Sequence, residues 1–193
     1  MKKVNIAIFV SGGGTNCENI IRFFKDSDKI FPALVVCNKP DAPALGKALR
    51  LGVPTQVVTK EELNSEAVMM SLLQQYCIDF IVLAGFLPLV PDFLVSTYAR
   101  RIINIHPSLL PKYGGKGMWG HHVHEAVKAA GDMETGMTVH WVTPVCDGGE
   151  IIAQYKVALK PEDTAAMIAD KEHVLEMKYY PLVIEKVLHE AFA

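Results

Sequence analysis

No two of the four cysteines form a C-x-x-C pair: Cys17, Cys37, Cys77 and Cys146 are scattered along 193 residues. That argues against a zinc site or a disulfide framework and reads as reduced thiols in a cytoplasmic protein. No apolar run is long enough to span a bilayer, so no membrane partner is expected. The N-terminal run, after Lys2 and Lys3, is broken by Gly12 to Gly14 and reads as a core strand, not a signal peptide. Charge of one sign is not in excess either. A formal net charge of −2 gives no basic surface for a phosphate backbone, so no nucleic-acid partner is expected. A Walker lysine is missing, and neither Ser11 nor Ser108 sits in a G-x-S-x-G elbow, which argues against P-loop and serine-hydrolase chemistry. Internal repeats, low-complexity tracts and linkers are absent too, and the length suits one domain.

What is present is an alternation. Val4 to Val10 is an apolar, β-branched run ending in Ser11-Gly12-Gly13-Gly14, a strand followed by a tight turn. Thr15 or Asn16 can cap the next helix, with Ile20, Ile21, Phe23 and Phe24 as its buried stripe. Further strands are predicted at 33–37, 55–58, 80–84 and 102–105, with helices at 44–51, 64–76 and 91–98. Strands alternating with helices imply a parallel sheet covered on both faces. After residue 112 the pattern changes. A Gly-rich loop, Tyr113 to Gly120, leads into a helix at about 122–130, and strands at 135–142 and 150–157 flank Cys146-Asp147-Gly148-Gly149 as a hairpin-like pair. The last segment, from Thr164 to about Phe192, is a long helix expected to break before Pro181. The expected fold is α/β, a single-domain doubly wound and mostly parallel sheet with an antiparallel C-terminal edge and a long C-terminal helix.

Three motifs carry chemistry. If Ile102 to His106 is a strand, Asn104 and His106 share a face, and Pro107, lacking an N–H, ends the ladder there. In an open parallel sheet, ligands bind beyond the carboxyl ends of the strands. An amide able to hold an oxyanion beside an imidazole titrating near neutrality suits acyl-type transfer. Hydrogen-bonded loop-entry residues would look the same in isolation. The second motif is Ser11 to Asn16. Its backbone N–H groups at a positive helix end form an anion site, with Thr15 and Asn16 as extra donors, although a plain chain reversal needs the same glycines. Cys17 stands where a dinucleotide fingerprint wants a glycine, and Val36-Cys37-Asn38 offers no acid to a ribose, so a single phosphate fits better than a pyrophosphate. The third is Asp147-Gly148-Gly149, either ordinary hairpin chemistry or a carboxylate aimed into a cleft beside an imidazole. His121, His122 and His124 read as an exposed helix start and not as a metal site. Glu172, His173 and Glu176 read as a solvated helix face.

In this order, Ser11-Gly-Gly-Gly-Thr-Asn16, Asn104-Ile-His-Pro-Ser-Leu-Leu-Pro111 and Asp147-Gly-Gly149 resemble the phosphoribosylglycinamide formyltransferase family, a branch of the folate-dependent formyltransferases. Val82-Leu-Ala-Gly-Phe86, Gly136-Met-Thr-Val-His140 and Tyr180-Pro-Leu-Val183 extend the resemblance over nearly the whole chain. It implies a Rossmann-like formyltransferase fold, with a phosphate-binding half at about 1–100 and a folate and catalytic half at about 80–193. It implies transfer of the formyl group of 10-formyltetrahydrofolate to the amine of glycinamide ribonucleotide in purine synthesis. Those two small molecules would be the partners, with no metal, in a monomer or homodimer. Gly14, Thr15 and Asn16 would hold the ribonucleotide phosphate and Glu176 would lie near the ribonucleotide. Leu87, Pro88, Leu89 and Val90 would line the folate pocket. Asn104, His106 and Asp147 would be the catalytic set, with His140 behind them. In that scheme Asn104 donates to the oxyanion, and so does His106, kept protonated by Asp147.

The chain departs from the familiar pattern in two places. Ser65 and Pro88 stand near positions where some relatives carry arginines, one of which touches the folate tail. The loop 113–120 also differs, with Lys116 available for a phosphate or carboxylate. Rival readings are a formyltetrahydrofolate hydrolase, expected to carry an extra N-terminal regulatory domain, and a methionyl-tRNA formyltransferase, expected to carry a C-terminal RNA-binding domain. A non-catalytic nucleotide-binding module is the third; it would leave Asn104 and His106 unexplained.

Overall fold

Along the first strand, β1 (Val4–Val10), successive side chains enter opposite cores: Ile6, Ile8 and Val10 one, Ala7 and Phe9 the other. A strand covered on both faces has no polar side, which is why this run is apolar without alternation. The same split recurs in β2 (Ile30–Cys37), where Val35 and Cys37 oppose Leu34 and Val36. It recurs again in β4 (Phe80–Leu83), where Phe80 and Val82 oppose Ile81 and Leu83. The computed structural model describes residues 2–193. With β3 (Thr55–Val57), β5 (Ile102–His106), β6 (Glu134–Trp141) and β7 (Ile151–Ala158), these strands form one seven-stranded sheet in the order β3-β2-β1-β4-β5-β6-β7. From β3 to β5 all neighbours are parallel, and β6 and β7 are antiparallel. The expected doubly wound sheet with an antiparallel C-terminal edge is what forms.

Helices α1 (Thr15–Phe23), α2 (Pro43–Arg50) and α7 (Ala165–Ala191) cover one face through Ile20, Ala44, Ala48, Ile184 and Leu188. The other is covered by α3 (Lys60–Leu63), α4 (Glu66–Gln75) and α5 (Asp92–Thr97) through Leu63, Met69, Leu73 and Leu94. The remaining helix, α6 (His121–Ala130), packs on α7 around Val127 and Ile168. The chain winds outward from β1 to β2 and β3, then returns so that β4 lies on the other side of β1. That reversal opens a crevice at the carboxyl ends of β1 and β4, the usual ligand position in such sheets. Among the described residues, no helix is long and apolar enough to cross a membrane.

The structure departs from the sequence expectations at several points. Neither Thr15 nor Asn16 caps α1; the cap position is Gly14, in the left-handed region at φ 70°, with no side-chain cap bond. A Cβ at Gly14 would collide with Cβ of Ala44 on α2, so this glycine serves both the turn and the close approach. Phe23, placed in the apolar stripe of α1 by its spacing, is exposed, because periodicity marks a face but not how wide its cover is. A short helix, α3, carries a complete capping box between Thr59 and Glu62 that the pattern did not disclose. Most informative is α7, which runs unbroken through Pro181. Pro181 has no N–H for the Met177 carbonyl four residues earlier. Asn19 Nδ2 on α1 donates to that carbonyl instead, at 2.7 Å. A tertiary donor thus replaces the missing helical one.

Candidate functional site

The crevice begins with two turns tied together. Ser11, at the end of β1, donates from Oγ to Asn38 Oδ1 at 2.6 Å and accepts the Leu87 N–H at 2.9 Å; its own N–H reaches the Gly85 carbonyl at 3.0 Å. A buried serine considered only as a weak nucleophile is therefore a structural tie between the glycine turn and the turn after β4. Gly12 and Gly13 have ordinary φ, and a Cβ at either would meet no protein atom within 4 Å. Packing does not demand glycine there. Bare backbone facing a cavity, at the start of a helix whose first turn has no side-chain cap, is the geometry that receives an anion.

The cavity in question has a volume of about 1000 Å³. Gly14, Thr15 and Asn16 line it, as do Asn104, His106 and Asp147, and Leu87 and Leu89 from the turn after β4. Pro88 and Val90 are not part of the wall; Val90 packs instead against the core beneath α4 and α5. Glu176 from α7 also faces the cavity and accepts from Asn16 Nδ2 at 2.8 Å. Residues from both halves of the sequence thus meet at the glycine turn.

Asn104 and His106 lie on one side of β5, as alternation requires, at the strand's carboxyl end. Their loop is held by Thr138 on β6, which donates to the Ser108 carbonyl at 2.6 Å and accepts the Leu110 N–H at 3.0 Å. Asn104 pairs with His140 across the antiparallel ladder, and its Nδ2 lies 3.1 Å from His140 Nε2. His140 Nδ1 lies 2.9 Å from the Trp141 carbonyl, which can only accept. In the neutral ring Nδ1 therefore carries the hydrogen and Nε2 accepts one from Asn104. The second Asn104 N–H remains available to the cavity.

Asp147 sits between two imidazoles, with Oδ2 3.6 Å from His106 Nδ1 and Oδ1 3.6 Å from His140 Nε2. Both distances exceed a full hydrogen bond. The firm contact is the Gly115 N–H, donated to Oδ2 at 2.9 Å. Asp147 itself is in the left-handed region at φ 52°, and Gly149 beside it has no room for a Cβ against the Trp141 carbonyl. The D-G-G motif is therefore both turn chemistry and a carboxylate aimed inward. Burial pushes the Asp147 carboxyl up, but His140, the Gly115 N–H and His106 outweigh it and hold it below the usual carboxylate range.

His106 differs from expectation. Burial holds its imidazole below the ordinary histidine value, outweighing the upward pull of Asp147 and of the Tyr113 carbonyl. Asp147 therefore does not keep the ring protonated in the free protein, because desolvation costs the cation more than one carboxylate at 3.6 Å returns. His124 was read as part of an exposed helix start. Only His121 and His122 are exposed; His124 is buried, lines the cavity, and its Nδ1 has no partner. His121, His122 and Glu125 come within 4.8 Å of one another on the exposed side. On residue pattern alone Glu172, His173 and Glu176 read as solvated, whereas the resemblance puts Glu176 near the ribonucleotide. Glu172 is 2 % exposed and, with His173 and Glu176, faces the cavity. Nothing local to α7 signals this, because α6 and α1 supply the cover.

A profile of the formyl transferase family matches residues 4–184. The chain is 37% identical over 192 residues to the phosphoribosylglycinamide formyltransferase of Haemophilus influenzae, covering 96% of this chain and 86% of that protein. It is 36% identical over 193 residues to the enzyme of that name from Bacillus subtilis, covering 97% and 95%. Among solved structures, phosphoribosylglycinamide formyltransferase from Anaplasma phagocytophilum superposes with a TM-score of 0.88 at 32% identity, covering 98% of this chain and 89% of that one.

Proposed function

This chain belongs to the formyl transferase family, and from that premise we propose how its cavity works. The protein transfers the formyl group of 10-formyltetrahydrofolate to the amine of glycinamide ribonucleotide, giving formylglycinamide ribonucleotide and tetrahydrofolate in purine biosynthesis. The observation that carries the reading is the convergence of Asn104, His106 and Asp147 on one cavity shared with the Gly12–Asn16 turn.

Gly14, Thr15 and Asn16 receive the ribonucleotide phosphate at the uncapped start of α1, and Glu176 meets the same substrate. Leu87 and Leu89 give the folate an apolar wall. Holding both reactants in one cavity makes amine attack effectively unimolecular, an advantage of roughly 7–11 kcal/mol when alignment is good. No nucleophilic side chain is required. The free N–H of Asn104 donates to the formyl oxygen as its negative charge develops, with the amide held in register by His140. His106 enters neutral; the growing oxyanion and Asp147 together raise its proton affinity, so the ring can hold, through water, the proton shed by the attacking amine until that proton passes on to folate N10. Asp147, ionised and fixed by Gly115, relays the proton leaving the amine toward folate N10 through water. The protein is read as a monomer or a homodimer. Four unpaired thiols fit a cytoplasmic setting.

The test is an assay of 10-formyltetrahydrofolate with and without glycinamide ribonucleotide, following folate absorbance. Consumption is expected only with both present. Amine-independent consumption would make the protein a hydrolase, and none at all a binding module.

A further inference from the structure

Glu172 and Glu176 lie one helical turn apart on α7, so their side chains are neighbours on one face, and both line the cavity. Glu172 is 2 % exposed, and its Oε1 has no hydrogen-bond partner. Glu176 already accepts from Asn16 Nδ2 at 2.8 Å and from His173 Nδ1 at 3.2 Å, both on the same oxygen, Oε2. Among the described residues no lysine or arginine pairs with either carboxyl; the basic side chain in contact with Glu176 is His173. Two adjacent carboxylates in a buried setting cannot both stay ionised with so little compensation. The more buried one keeps a proton, and a carboxylic acid beside a carboxylate has one acceptor in reach.

We propose that Glu172 is a positioning residue for the ribonucleotide: as a carboxylic acid it donates its hydrogen to Glu176 and fixes the carboxylate that meets the substrate. The inference rests on the reading of Glu176 given above and extends it to a residue that acts through Glu176. Burial and the neighbouring Glu176 both push the Glu172 carboxyl well above its ordinary range, as the geometry requires. Charged and titratable groups beside the pair or lining the same cavity are Asp170, His173 and Tyr180 on α7, His124 on α6, His106 on β5, Lys116 in the 113–120 loop and Asp147. Glu176 holds His173 above the ordinary imidazole value, so loss of the His173 proton also contributes as pH rises.

The experiment compares wild type, Glu172→Gln and Glu172→Leu for KM of glycinamide ribonucleotide, KM of the formyl donor and kcat across pH 6 to about 10. Gln keeps a donor but cannot ionise; Leu fills the space and donates nothing. Glu172→Gln is expected to retain the wild-type ribonucleotide KM at pH 7. Glu172→Leu should raise it about 10- to 100-fold with kcat and donor KM near wild type, the loss of one donor to a charged group. At alkaline pH the wild-type ribonucleotide KM should rise beyond the His173 limb common to all three, and Glu172→Gln should lack that additional rise. Equal KM values in wild type and Leu, equal damage in Gln and Leu, or superposable alkaline profiles in wild type and Gln would each overturn the proposal. If Leu does not fold, the comparison of wild type with Gln decides alone. A wild type that never formylates glycinamide ribonucleotide would sink the functional reading as well, whereas active wild type with indifferent variants would sink only the role of Glu172.

Discussion

His106 Nε2 lies 2.7 Å from the carbonyl oxygen of Tyr113. A carbonyl only accepts, so Nε2 carries the ring hydrogen and Nδ1 is left facing Asp147. Tyr113 itself adopts φ 55°, uncommon for a residue with a side chain. The tautomer of the central imidazole is thus set by a loop residue.

Asp147→Asn should retain the fold, since the amide oxygen can still accept the Gly115 N–H. Turnover should nonetheless drop about 100–1000-fold with both KM values little changed, comparable to removing one preorganised electrostatic group. Steady-state kinetics at pH 7.5 checks it; an unchanged kcat removes Asp147 from the reaction.

Glycines 13 and 14 should separate binding from stability. Gly14→Ala forces a left-handed alanine against Ala44 and should cost about 2 kcal/mol or more in thermal or urea unfolding. Gly13→Ala meets no protein atom and should change stability by less than about 0.5 kcal/mol, yet raise the ribonucleotide KM. Equal stability losses in the two variants would contradict this assignment.

The Asn19 amide should matter because of Pro181. Asn19→Ala strands the Met177 carbonyl and should cost about 1–3 kcal/mol. In a Pro181→Ala background a helical N–H returns to that carbonyl, and Asn19→Ala should cost distinctly less. A double-mutant cycle with no coupling would show that the two residues act independently.

Acid should weaken the fold through its buried imidazoles. Burial holds His106 and His124 below the ordinary value of 6.5, so the unfolded chain takes up protons first. Their contribution is complete above pH 6.5 and is lost as pH falls through the lowered folded values. Glu172 acts in the opposite sense, losing its contribution as pH rises above 4.5 through its raised value. The comparison to make is therefore His124→Asn against wild type: the variant's melting temperature should fall less between pH 6.5 and 5. Parallel curves would mean His124 is not buried neutral.

Local pattern was enough for much of this protein. Uninterrupted apolar runs announced strands covered on both faces, and Asn104, His106 and Pro107 marked the end of one by alternation and a missing donor. The D-G-G and glycine turns were legible because each needs backbone freedom at a fixed place. His140 was legible only as a neighbour of that set, because its bond to Asn104 depends on strand register.

What the fold alone decided is everything set by cover from distant segments. His124 is buried and the Glu172 carboxyl is pushed above its ordinary range because α6, α1 and α7 close over the same space, and no spacing within α7 records that. The charge on His106 reversed expectation for the same reason: a carboxylate nearby in the pattern raises an imidazole's proton affinity, but the depth of burial, which only the assembled chain sets, lowers it further. Sequence determined which groups are present and which backbone shapes they need; tertiary structure decided their solvation, and with it which of them hold protons.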